Sequence, residues 1–342
     1  MKDLILVTGG TGYIGSHTAV ELINEGFDVL IVDNLSNSDI KVLDGIEKIT
    51  ATRPVFENID LMNGAKTKDF FRKYDNLKAI IHFAAYKAVG ESVEKPLMYY
   101  QNNLVSLMNL LENMKAHGIQ HLVFSSSCTV YGEPDTLPVS EEAPVKKANS
   151  PYGNTKQISE EIIQDTLSVD QGLNAILLRY FNPIGAHPSS EIGELPIGVP
   201  NNLVPFITQT AAGTREKLSV FGDDYNTPDG TCIRDYINVV DLAKAHVVSI
   251  KRLLDKKNKE SLEVFNLGTG QGLSVMEIIN SFEKTTGRKL NYQIVGRRSG
   301  DVEKVYADTT FANEELGWKA EKTIDETLLS AWNWEKKIRN IK

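Results

Sequence analysis

Short apolar runs separated by amphipathic segments dominate the first half of the chain. "LILVTGG" (4–10), "DVLIVDN" (28–34), "KAIIHFAA" (78–85), "HLVFSSS" (121–127) and "NAILLRYFN" (174–182) each read as a buried parallel strand, with polar residues or glycine at its C-terminal end. Between them, apolar positions recur at helical spacing. The longest such stretch, residues 94–118, ends in His-Gly, which suits a long helix closed by Gly118. Alternation of this kind predicts an α/β fold in which a doubly wound parallel sheet receives ligands at its strand C-termini.

After residue 181 the rhythm changes. "NPIGAHPSSEIGELPIGVPNN" (182–202) is rich in Pro and Gly and has no period, the mark of a binding loop or of disorder. Beyond it, "SVMEIINSFEKTTG" opens with the capping box Ser274-x-x-Glu277 and closes on Gly287, and "TIDETLLSAWNWEKK" reads as an amphipathic C-terminal helix. The expected organisation is a Rossmann-type dinucleotide-binding domain over residues 1–180. Residues 181–342 then form, in the main, a smaller α/β C-terminal lobe that binds substrate.

Composition narrows the function. With 342 residues, 41% hydrophobic and 24% charged, the chain can bury a large core. A net charge of −8 argues against sequence-independent nucleic-acid binding. No apolar run approaches the roughly 20 residues of a membrane helix, and the N-terminal apolar run reads as a strand, not a signal peptide. Two cysteines, Cys128 and Cys232, without CxxC spacing fit a reducing cytoplasm. Six histidines supply no ligand spacing. Gly118 should end the helix between His117 and His121, and His82 reads as a buried strand residue, so no metal site is expected.

"VTGGTGYIGSH" places Gly9, Gly12 and Gly15 between the first strand and the first helix. Such glycines permit a tight turn and let backbone N–H groups approach a pyrophosphate at the helix N-terminus. The spacing is GxxGxxG, and its weight comes from context: strand before, helix after, and an acid at the end of the second strand. That acid, Asp33, can accept both ribose hydroxyls of adenosine and would repel a 2′-phosphate. Asn34 and Leu35 offer no compensating cation, so NAD is favoured over NADP. Asp60 either meets the adenine amine or is a lone loop acid.

The candidate chemistry lies in "SPYGNTK" (150–156). Ser150 as N-cap and Pro151 at the first helical position put Tyr152 and Lys156 on one face, one turn apart. A Lys ammonium at about 5 Å and an effective dielectric near 20 would contribute roughly 3 kcal/mol, about two pKa units, toward a phenolate. The helix N-terminus and the positive nicotinamide of NAD⁺ push the same way, so the expectation is that together they bring the phenol near its working pH as a general base, with Ser127, at the end of the fifth strand, hydrogen-bonding the substrate hydroxyl and helping relay its proton. Tyr74 and Lys78 share the spacing but fall in a helix-to-strand connection away from the strand C-termini.

"GGTGYIG", the Ser127–Tyr152–Lys156 set and "LRYFNPIGAHP" resemble the extended short-chain dehydrogenase/reductase family. Longer blocks, among them "HFAAYKAVGESVEKPLMYYQNN", "FSSSCTVYG", "GVPNNLVPFI", "VFGDDYNTPDGTCIRDYINVVDLAKAHV" and "RRSGDVEKVYAD", are similar to the UDP-glucose (UDP-galactose) 4-epimerases over nearly the whole chain. The resemblance implies oxidation at sugar carbon 4 by tightly held NAD, rotation of the 4-keto sugar, and re-reduction on its other face. It also implies further cofactor contacts: Tyr13 and Ile14 in the Gly loop, Asn37 and Ser38 after Asp33, and Leu61 beside Asp60. Phe83, Ala84, Ala85 and Lys87 after the strand ending at His82 join them, as do Asn102 and Phe181. For the UDP-sugar it implies Arg234 and Arg298 at the diphosphate, with Asn182, Asn201, Asn202 and Leu203 at the sugar and diphosphate. Lys87 joins that substrate set as well. Phe221 would meet the uracil and Asp301 the uridine ribose.

A sugar-nucleotide 4,6-dehydratase would use the same apparatus plus an acid and base near carbons 5 and 6. At the strand end this chain has Ser127, Cys128 and Thr129, with no carboxylate. Epimerases of UDP-xylose or UDP-glucuronate stay open, and a non-enzymatic NAD-sensing regulator would have no use for the Ser–Tyr–Lys set. Val305, four residues after Asp301, falls where such epimerases carry a residue beside the hexose. A Val leaves room for an N-acetyl group that a Tyr would fill, although Val305 also reads as an ordinary strand core residue. The family resemblance further suggests a homodimer formed through the helices of 94–117 and 152–170.

Overall fold

The computed structural model describes residues 2–170, 172–298 and 301–342. In chain order the first part runs β1 (Leu4–Thr8), α1 (Tyr13–Asn24), β2 (Asp28–Asp33), α2 (Val42–Thr50), β3 (Val55–Asn58), α3 (Gly64–Lys73) and β4 (Leu77–His82). Then come α4 (Val89–Glu94), α5 (Pro96–Tyr100), a π-helical turn (Gln101–Val105), α6 (Ser106–His117), β5 (His121–Ser127), a 3-10 turn (Cys128–Tyr131), α7 (Pro151–Val169) and β6 (Asn174–Tyr180). The second part comprises β7 (Asn182–Ile184), α8 (Leu203–Ala211), β8 (Leu218–Phe221), β9 (Ile233–Asn238), α9 (Val239–Leu254), β10 (Leu262–Leu267) and β11 (Gly272–Ser274). It ends with α10 (Val275–Thr286), β12 (Tyr292–Val295), β13 (Lys304–Val305) and α11 (Ile324–Ile338).

Seven strands form one parallel sheet in the order β10-β6-β5-β4-β1-β2-β3. Successive residues of each strand serve opposite faces, as the two-residue period requires. Ile5, Val7, Ile31, Ile176 and Leu178 join the core that α1 and α9 cover. Leu6, Leu30, Val32, Ala175 and Leu177 join the core that includes residues of α3, α6 and α7. Burial on both faces explains why these strands read as unbroken apolar runs. The strand order reverses between β1 and β4, so the crevice for a ligand opens there, at the strand C-termini.

The chain returns to this sheet late. β10 pairs with β6 from Leu262↔Ala175 to Leu267↔Tyr180, and α9 packs on α1. The N-terminal layer is therefore completed from beyond residue 180. The stretch 182–202 is also less bare than its composition suggests, since β7 pairs with β9 and Ala186 bridges Gly193.

Around β9 the second part builds a small sheet, β11-β9-β13 with β7 alongside, and a two-stranded pair β12-β8. Ile184, Val204, Ile207, Tyr236, Phe282, Leu328 and Trp332 form its core. The local signals hold. Gly118 takes a left-handed φ of 68° and closes α6, and full capping boxes begin α10 at Ser274 and α11 at Thr323. Among the described residues no helix is long and apolar enough to cross a membrane.

Candidate active site

The Gly loop is fixed by close backbone approach. Gly9 has φ +68°, and a Cβ there would lie 2.8 Å from the Ala84 nitrogen; at Gly15 it would lie 2.4 Å from the Gly9 carbonyl oxygen. Neither position admits a larger residue. Gly12 caps α1 without a side chain, and the first turn of that helix holds no acid. The N-terminal amides, positive by the helix dipole, are thus left without a side-chain cap. By contrast α7, α10 and α11 are capped by Ser150, Ser274 and Thr323. An open amide cradle beside an acid fits a dinucleotide pyrophosphate and its ribose.

That acid, Asp33, closes the loop at the end of β2. It accepts the Thr11 N–H at 3.2 Å, the Leu35 N–H at 2.9 Å and the Ser38 hydroxyl at 3.2 Å. Asn34 accepts the Ser36 N–H at 3.0 Å, and Asn37 is exposed. Tyr13 and Ile14 form the first turn of α1, with the Tyr13 hydroxyl donating to the Gly185 carbonyl at 2.6 Å. Phe83, Ala84, Ala85 and Lys87 follow β4, and Asn102 lies on the π turn. Leu61 is buried after β3, whereas Asp60 is exposed and accepts the Met62 N–H at 2.9 Å.

Ser127 ends β5 and Tyr152 lies in the first turn of α7, with the Ser127 hydroxyl near enough to favour the phenolate. Ser127 also accepts Thr129 N–H at 3.2 Å and the Thr129 hydroxyl at 3.0 Å. α7 is tied down along its length. Ser150 accepts the Gly153 N–H at 3.1 Å, and Gln157 donates to the carbonyls of Val130 (2.8 Å) and Lys146 (2.5 Å). Buried Asn103 donates to Thr155 Oγ1 at 3.0 Å and to the Tyr86 carbonyl at 3.1 Å, joining α7 to the loop after β4.

In the chain alone, burial opposes the phenolate. Burial pushes the Tyr152 phenol up to about 12, with the neighbouring Ser127 hydroxyl opposing, and pushes Lys156 down to about 7, with Glu160 opposing. The ammonium is also engaged elsewhere: Nζ donates to the Ser125 carbonyl at 2.5 Å and lies 4.7 Å from the Phe124 ring centroid. Desolvation is the largest influence on both groups in the chain alone, and the expected push from bound NAD⁺ would act in addition. Tyr74 is no rival, since its hydroxyl donates to Glu57 Oε1 at 2.6 Å beside Lys73.

On the other side of the crevice, Asp301 lies between two arginines. Arg298 Nη2 donates to it at 2.7 Å, and Arg234 Nη2 lies 3.8 Å away. The Arg298 guanidinium sits 5.6 Å from the ring centroid of Phe221, which is 41% exposed at the end of β8. Asn182 begins β7, half-buried, next to buried Phe181. Asn202 caps α8 without a side-chain bond and instead donates to Glu194 Oε1 at 2.6 Å. Leu203 is the first residue of that helix, and Asn201 is exposed before it. Val305 is buried in β13, pairs with Arg234, and joins a cluster with Val130, Tyr131, Val139, Phe181 and Ala307, against which Cys128 packs.

Several residues that hold this site belong to none of its motifs. Glu160, Arg179, Asn103, Glu194 and Asp235 are among them. Asp235, fully buried, accepts the Thr269 N–H (2.8 Å), the Gly270 N–H (3.1 Å) and the Ala307 N–H (3.2 Å), fastening β9 to the turn before β11. A charge inside an apolar run was the available signal for Arg179 in "AILLRYF" and for Asp235 in "CIRDYI", because a buried charge requires a partner. No group of three metal-ligating side chains occurs among the described residues.

A parallel sheet with a Gly loop at its switch point and a Ser–Tyr–Lys set at its strand ends defines an extended short-chain dehydrogenase/reductase. Residues 6–330 match the family model described as GDP-mannose 4,6 dehydratase. Within that class the chain belongs to the UDP-glucose 4-epimerase family. It is 49% identical to the UDP-glucose 4-epimerase of Dictyostelium discoideum, over 98% of this chain and 96% of that one. The epimerase structure from Bifidobacterium longum in complex with NAD+ and UDP has a TM-score of 0.94 at 47% identity, covering 99% and 100% of the two chains. That from Stenotrophomonas maltophila, with bound NAD and formylated UDP-arabinopyranose, has a TM-score of 0.95 at 45% identity and full coverage of both.

Proposed function

We propose that this chain interconverts UDP-glucose and UDP-galactose, using NAD held in the Gly9–Gly15 loop. The observation that carries the reading is the placement of Ser127 at the end of β5 and of Tyr152 and Lys156 at the start of α7, together with that open amide cradle. The relatives support it, being epimerases whose structures hold NAD with UDP or a UDP-sugar. Cys128 and Thr129 place a thiol and a hydroxyl where a dehydratase needs carboxylates, which favours epimerisation over elimination.

The bound nicotinamide would accept the hydride of sugar carbon 4 and return it to the opposite face. The chain's own part is binding and proton transfer. Tyr152 Oη would take the proton of the 4-hydroxyl, with Ser127 holding that hydroxyl through its own. Burial pushes the phenol up to about 12 in the protein alone, and the positive ring of bound NAD⁺ would act in the opposite direction. The Lys156 ammonium, held by the Ser125 carbonyl, would face the nicotinamide ribose. Arg234 and Arg298 would exchange the Asp301 carboxylate for the UDP diphosphate, a bidentate anion that suits two guanidinium forks.

Two finer elements complete the reading. Val305, a small residue packed with Phe181 and next to Cys128, supports UDP-N-acetylglucosamine as a second substrate, because beside the hexose it would leave room for an N-acetyl group that a Tyr would fill. Leu97 and Met108, exposed at 74% and 41%, and Val169, exposed at 77% at the end of α7, support a homodimer through the helices of 94–117 and 152–170, in the cytoplasm that two free cysteines favour. The test is product analysis of purified protein given UDP-galactose without added NAD. Conversion to UDP-glucose is expected; protein carrying bound NAD that yields none would sink the proposal.

A further inference from the structure

Glu194 touches two residues that the family resemblance assigns to ligand binding, Lys87 and Asn202. Its carboxylate accepts Asn202 Nδ2 at 2.6 Å and lies 3.6 Å from Lys87 Nζ. Its main chain is fastened as well, because Trp334 Nε1 on α11 donates to the Glu194 carbonyl at 2.9 Å. Lys87 in turn lies 5.9 Å from the Tyr13 ring centroid, at the first turn of α1. One side chain thereby links the loop after β4 to the start of α8, two segments joined by no shared strand.

A carboxylate here is electrostatically adverse to a site that takes phosphates. Its presence calls for an offsetting role, and the donor count supplies one. An ammonium has three N–H donors and a carboxamide two, so Glu194 can hold one from each and leave the rest for a ligand. The Lys87 side chain is 48% exposed, free to offer those donors, while Glu194 is 12% exposed and held at its backbone.

We propose that Glu194 is a positioning residue for nucleotide-sugar binding, aiming Asn202 and Lys87 into the crevice from opposite sides. The inference rests on the epimerase reading above. Glu194→Ala removes both contacts, whereas Glu194→Gln keeps an amide oxygen for Asn202 and releases Lys87. The expected result for Glu194→Ala is a KM for UDP-galactose raised about tenfold, with kcat changed less than about threefold, as for loss of uniform binding. Calorimetric titration with UDP should show a matching loss of affinity, and Glu194→Gln should fall between Ala and wild type in both measurements.

Glu191→Gln serves as the control. Glu191 lies in the same loop but pairs with Lys48 and Lys337, outside the crevice, and its variant should keep wild-type KM and UDP affinity. Wild-type KM and UDP affinity in Glu194→Ala would overturn the proposal. So would tighter UDP binding, which would make the carboxylate a competitor of the phosphate, or an equal loss in Glu191→Gln, which would reduce the effect to loop stability. The UDP titration does not depend on turnover, so an inactive wild type would refute the epimerase reading while still reporting on Glu194.

Discussion

Arg179 grips Glu160 through two parallel bonds, Nε to Oε1 at 3.0 Å and Nη2 to Oε2 at 2.6 Å. Both residues are buried, 7% and 9% exposed, and the pair is satisfied on every side. Ser126 donates to Glu160, Arg179 Nη1 donates to the Tyr131 hydroxyl at 3.0 Å, and that hydroxyl donates to Asn266 at 2.7 Å. Glu160 stands one turn after Lys156 on α7 and Arg179 one residue before Tyr180 on β6, so the fork fixes how the helix is rotated about its axis over the sheet.

Breaking that pair from one side leaves a buried charge alone. Glu160→Gln or Arg179→Met should each destabilise the fold by about 3–5 kcal/mol, and the double variant Glu160→Gln/Arg179→Met by less than the sum. Urea unfolding of the three proteins measures this. Additive losses would show that the two residues act independently.

Tyr152→Phe removes the proton acceptor and little else. We expect kcat to fall at least about 100-fold, with UDP affinity and thermal stability close to wild type. Ser127→Ala should lose less, about tenfold, because the phenol stays in place. A Tyr152→Phe enzyme retaining a tenth of wild-type turnover would remove Tyr152 from the proton path.

Three buried histidines tie stability to pH. Burial holds His17 and His82 at about 3 and His246 at about 4, so all three stay neutral in the fold. In the unfolded chain they protonate near 6.5. Their stabilising share is therefore complete above that value and is lost as pH falls toward 4. Each group contributes about 1.4 kcal/mol per pH unit in that window, roughly 2 kcal/mol between pH 6.5 and 5. Urea midpoints at pH 7, 6 and 5 should drop steeply; a flat profile would mean that the rings accept protons without unfolding.

Val305→Tyr tests substrate width. The new ring would crowd the wall that Val305 shares with Phe181 and Cys128. Turnover of UDP-N-acetylglucosamine should fall by at least about tenfold relative to UDP-glucose. If wild type acts on UDP-glucose and leaves the N-acetyl sugar untouched, the small residue has no bearing on specificity.

How far the site could be read in advance depended on the range of the interaction. The alternating runs, the Gly loop, Asp33 and the Ser150-Pro151 start of α7 are local, set by periodicity, backbone freedom and caps within a few residues. These determined the α/β fold and placed Tyr152 and Lys156 on one helix face. Only the tertiary structure brought Arg179 to Glu160, Glu194 to Lys87 and Asn202, and β10 to the edge beside β6, because each pairing spans a stretch of chain that no local pattern encodes. The direction of the Tyr152 shift belongs with these. Spacing supplies the nearness of Lys156, but desolvation depends on everything packed around the phenol, and in the chain alone it is the largest influence.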